Sequence, residues 1–131
     1  STFSNYNESS YWKKIKDFLI AGLNKSSIVN SELVQSITLD KFCKKNNIKK
    51  IDLLKIDTEG HEYFVLKGFK DDISNIKVIF FEHHYDQMIM KNYTFSDIHR
   101  YLKDKNFKQN SKFKMPFRKS FEYIYINNKY L

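Results

Sequence analysis

One cysteine, one proline, three glycines and two arginines in 131 residues leave several kinds of protein out of reach. With Cys43 alone, no internal disulfide and no cysteine-rich metal site can form. That scarcity fits a reducing compartment, and a cytoplasmic location is the expectation. No apolar stretch approaches the roughly 20 residues that cross a bilayer, and the start carries no signal-peptide pattern. The chain begins at Ser1 rather than with a methionine, so an upstream part is expected to be missing. The formal charge of +8 invites a nucleic-acid reading, yet the cations are 21 lysines against only Arg100 and Arg118. Arginine is the side chain whose planar fork reads phosphates and guanine edges. The lysines are spread through every segment and read as solvated faces, so no nucleic-acid partner is expected.

What is present is enough for a modest core. Residues 1–10 are small and polar and read as a loop. Trp12, Ile15, Leu19 and Leu23 then recur at helical spacing with Lys13, Lys14, Lys16 and Asp17 between them, which predicts an amphipathic helix. Residues 1–31 are therefore set apart as a loop and helix, and residues 32–131 as the main unit. In the main unit strands and helices alternate. Leu33–Thr38 is predicted as a strand and Leu39–Asn46 as a short helix capped by Thr38. Ile51–Asp57 is a strand whose nearly continuous apolar run predicts cover on both faces. A short helix over Glu62–Leu66 is stopped by Gly68. Ile76–Glu82 is a second buried strand, and Thr94–Lys105 a helix with Thr94 and Asp97 at capping-box spacing. Phe107–Lys114 and Phe121–Asn127, joined around Pro116, close the chain as a strand pair. Strand–helix–strand order implies parallel strands. The expected fold is thus α/β, a mostly parallel Rossmann-like sheet with an antiparallel closing strand pair.

The chemistry concentrates at the strand ends. Ile51–Ile56 runs into Asp57-Thr58-Glu59-Gly60-His61-Glu62, and the next strand ends in Glu82-His83-His84. In open α/β sheets, ligands bind outside the carboxyl ends of the strands. Two neighbouring strands would therefore deliver Asp57, Glu59, Glu82 and His83 to one rim. Each also has a plainer reading: Asp57 and Glu59 as caps of the following helix, His61, His84 and His99 as solvent-facing, and Gly60 as the tight turn.

The stretch SITLDKFCKKNNIKKIDLLKIDTEGHEYFVLKGF, residues 36–69, resembles the centre of the FkbM methyltransferase family. The matching positions are Thr38-Leu39-Asp40, then Leu54 through Glu62, then Val65-Leu66-Lys67-Gly68, with Val78–Glu82 similar to the family's next core strand. The resemblance implies a partial class I methyltransferase sheet that uses S-adenosylmethionine, with Asp57, Glu59 and Gly60 towards the cofactor. It implies Asp57 as general base or acceptor-orienting residue, with Glu82 and His83 completing a pocket for a sugar or small-metabolite hydroxyl. The glycine-rich turn that would hold the cofactor's amino-acid end is absent, so the chain alone is expected to be inactive. No metal is assigned, although Asp57 with Glu82 would suit a divalent ion with oxygen ligands. The rival reading is a non-catalytic half-domain that serves as a protein-interaction module.

Overall fold

A computed structural model describes residues 35–85, 89–117 and 119–131. The predicted helix around Trp12–Leu23 lies outside the described residues. Four strands, β1 (Ile51–Ile56), β2 (Ile76–His84), β3 (Phe107–Lys114) and β4 (Ser120–Asn127), form one sheet in the order β1-β2-β4-β3. Helices α1 (Leu39–Lys45), α2 (Glu62–Lys67) and α3 (Phe95–Asp104) and a 3₁₀ helix (Lys70–Asn75) connect them.

The α/β class stands, but the sheet is mixed rather than mostly parallel. β1 pairs parallel with β2, Leu53 opposite Val78 and Ile56 opposite Phe81. β4 then runs antiparallel to both β2 and β3. The hairpin turn explains this, because β3 and β4 are joined tightly and β4 is the strand that docks on β2.

Four further expectations need correction. Residues 35–38 are exposed and irregular where a strand was predicted. The alternation there marks no buried face, since Ile37 is itself exposed. Thr38 does precede α1, but its hydroxyl makes no cap bond and instead donates to the Asp40 carboxylate. β1 is not covered on both faces: Leu53 is 60% exposed. Gly68 ends α2 with right-handed angles, not the left-handed ones of a glycine stop. Its lack of a side chain serves close packing, as a Cβ there would lie 3.2 Å from the Val65 carbonyl oxygen.

The core lies on one face. Ile56, Ile79, Phe81, Tyr123 and Tyr125 meet Leu66, Phe69, Ile73, Ile98 and Leu102, all buried. Register places Leu53, Val78, Phe80, Ile124 and Ile126 on the other face. α3 starts as predicted. Thr94 accepts from the Asp97 amide and Asp97 accepts from the Thr94 amide at 2.8 Å, a complete capping box. Those bonds hold the Asp97 carboxyl below the usual carboxylate range.

Candidate active site

β1 stops at Ile56 because the chain reverses over the next four residues. Glu59 takes φ 51° and Gly60 φ 102°. The second value is open to glycine and strained for any residue with a Cβ, so Gly60 is the turn residue expected of it. The turn is held from inside by Glu62, 2% exposed. Its Oε1 accepts from the Gly60 amide at 2.8 Å and the Thr58 hydroxyl at 3.2 Å, and its Oε2 accepts from the Tyr93 hydroxyl. Burial, then that bond, pushes the Tyr93 phenol far up, so Tyr93 stays a donor. Sequence reasoning missed Glu62 as a functional part. The available signal was its place two residues after the turn glycine, where a carboxylate can fold back onto the glycine amide.

The residue at the cap position before α2 is His61, not Asp57 or Glu59, and its side chain makes no cap bond. Asp57 stands at the carboxyl end of β1 with its side chain 51% exposed. Lys55 Nζ is 3.7 Å from its Oδ2, but both groups are open to water, where such pairs contribute little.

β2 delivers its last residues to alternate faces. Glu82 and His84 share the side that carries Val78 and Phe80, and His83 points into the aromatic core. His84 is therefore not solvent-facing: it is 3% exposed, with Nε2 3.1 Å from Glu59 Oε2 and 3.5 Å from Glu82 Oε1. Two of the predicted acids, Glu59 and Glu82, thus meet around a histidine that sequence alone had set aside. His99 also turns inward, with Nδ1 2.7 Å from the Tyr125 hydroxyl. His61 is half-buried beside Phe64.

The sequence profile described as the methyltransferase FkbM domain matches residues 2–109. The chain belongs to the FkbM methyltransferase family. It is also 30% identical over 63 residues to the hexuronic acid methyltransferase AglP of Haloferax volcanii. That match takes in 48% of this chain and about a quarter, 26%, of the relative. No solved structure matches the chain significantly.

In this FkbM domain the acidic rim is set apart from a groove on the described residues. That groove of about 450 Å³, lined by residues including Cys43, Lys44, Ile51, Phe69 and Asp72, opens at the start of β1, the end away from Asp57. No group of three or more histidine, cysteine or acidic side chains is arranged to hold a metal among the described residues. Of the three carboxylates at the ends of β1 and β2, Asp57, Glu59 and Glu82, Asp57 is the most exposed.

His83 gives this domain a pH signature. Its ring lies 4.9 Å from Tyr85 and 5.9 Å from Phe95. Burial first, then Lys91 and His84, pushes it down to about 3. The unfolded chain binds a proton near pH 6.5 and the native state does not, so stability is full above pH 6.5 and falls as the pH drops towards 3. Between pH 7 and 5 the expected loss is about 2 kcal/mol. Urea titrations should show a clearly smaller loss for His83→Phe. An equal loss in parent and variant would mean that His83 is not held neutral.

Proposed function

We propose that this chain is the acceptor-side part of an S-adenosylmethionine-dependent methyltransferase acting on a hydroxyl of a sugar or small metabolite. The observation that carries the reading is Asp57, exposed at the carboxyl end of a parallel strand within a matched FkbM domain. The cofactor supplies an electrophilic methyl group on a sulfonium. Asp57 orients the acceptor hydroxyl and takes its proton, which demands an accessible carboxylate within hydrogen-bond reach of the substrate. Glu82 borders the acceptor pocket, whereas His83, expected beside it, is buried in the aromatic core on the other face of β2 and supports that strand end from behind. Asp57 and Glu59, on the turn made by Gly60, face the cofactor, whose positive charge suits this acidic rim. Glu62 keeps that turn in shape. The name of the Haloferax volcanii relative supports a sugar acid as the acceptor class.

Gly22, Gly60 and Gly68 are the chain's only glycines, too far apart in sequence to make up a glycine-rich cofactor turn. Calorimetry of the chain alone is therefore expected to show no measurable S-adenosylmethionine binding. Tight stoichiometric binding would overturn this placement of the strands. Joined to a relative's strand and glycine-rich turn, the chain should transfer labelled methyl groups to uronic acids or related sugars. No transfer to any hydroxyl acceptor from a well-folded chimera would favour the protein-interaction reading instead.

A further inference from the structure

The turn between β3 and β4 carries a phenylalanine that neither the fold nor the proposed reaction uses. Phe117 is 96% exposed and sits at φ 61°. For a bulky residue the left-handed region is a genuine outlier, and an exposed ring recovers nothing by packing. Backbone strain of this kind points to a role outside folding. Phe113, near the end of β3, is 52% exposed. The neighbouring Lys112, Lys114, Pro116 and Lys119 are exposed too, and Arg118, outside the described residues, adds a further cation in sequence. From Lys105 to Phe121 the chain has no Asp or Glu.

The base of this tip is firm. The Met115 amide donates to the Ser120 carbonyl at 3.1 Å, and the Tyr85 amide donates to the Lys119 carbonyl at 2.7 Å. Lys112 Nζ lies 4.2 Å from the centre of the Phe121 ring, which anchors its stem against the sheet.

We propose that the β3–β4 tip is a membrane-contact element, with Phe117 entering the headgroup boundary of an anionic bilayer and the flanking lysines meeting its headgroups. An apolar apex with cations set behind it matches the order of layers at such a surface. Each lysine near an anionic leaflet strengthens attraction about fivefold. A single-strand nucleic-acid site would instead need a cationic groove lined with stacking platforms, and the apex here is Met115-Pro116-Phe117. The proposal stands independently of the methyl-transfer reading.

The test is flotation of the full chain with phosphatidylcholine vesicles, with and without phosphatidylglycerol, beside a single-stranded RNA retention assay. Binding is expected only to the anionic vesicles and should weaken with salt. Phe117→Gly should bind about tenfold more weakly, from the loss of one buried ring. The same variant should melt about 4 °C higher, because the strain at that position is gone. Replacing Lys114 and Lys119 by Gln should weaken flotation by more than about tenfold without lowering the melting temperature. The proposal fails if anionic vesicles are not bound, or if neutral ones are bound equally. It fails equally if Phe117→Gly leaves flotation unchanged or lowers the melting temperature, or if RNA is held more tightly than the vesicles.

Discussion

Asp57→Asn is expected to lower methyl transfer by about 100- to 10,000-fold, the usual cost of losing a general base, with an unchanged melting curve. The stability half of this result follows from the turn. Asp57 does not occupy the cap position of α2, and its ion pair with Lys55 is open to water. Asparagine keeps the size and much of the hydrogen bonding but cannot take a proton. Glu59→Gln is the matched control, because Glu59 is engaged with His84 at the side of the rim. Its effect on rate should be far smaller than that of Asp57→Asn, since it removes one charge facing the cofactor but no proton acceptor. The measurement is turnover of labelled methyl groups in the chain joined to a cofactor-binding half, with a melting curve for each variant. Activity of Asp57→Asn within a few-fold of the parent would remove Asp57 from the reaction.

The largest effect on stability is expected at Glu62. Glu62→Ala strips the acceptor from the Gly60 amide and the Thr58 and Tyr93 hydroxyls and leaves a void beside Tyr93. Each buried group left without its partner costs roughly 1–3 kcal/mol, so a total of about 4 kcal/mol is expected. That is a large share of the roughly 5–15 kcal/mol that holds a domain together. Glu62→Gln should lose only about 1–2 kcal/mol, since the amide oxygen still accepts from Gly60 and the tyrosine hydroxyl can accept from the amide nitrogen. Tyr93→Phe should fall between the two. Urea titration of the three variants gives the order directly. If Glu62→Ala lost less than Glu62→Gln, the carboxylate would not be what holds the turn.

The sequence by itself determined the parts governed by local chemistry. The apolar runs at Ile51–Ile56 and Ile76–Phe81 marked β1 and the start of β2, and Pro116 marked the hairpin turn. Thr94 with Asp97 marked the start of α3, and Gly60 the reversal after β1. These depend on side-chain branching, ring constraints and short-range hydrogen bonds, which neighbours in the chain supply. The D-x-E-G-x-E run identified the family because a turn so constrained tolerates few residue types.

Only the tertiary structure decided what depends on which strand lies beside which. The apolar run of β1 could not show that Leu53 stays open, because burial depends on what packs on each face and not on the run itself. Strand alternation put Glu82 and His84 on one face and His83 on the other, but a two-residue period does not say which face is filled. His84 is buried at the end of β2, where the turn carrying Glu59 comes up against it. Tyr93 and Glu62 are 31 residues apart in the chain. Their bond exists because the turn after β1 and the segment between β2 and α3 meet at the same end of the sheet, a fact of chain path that no local pattern encodes.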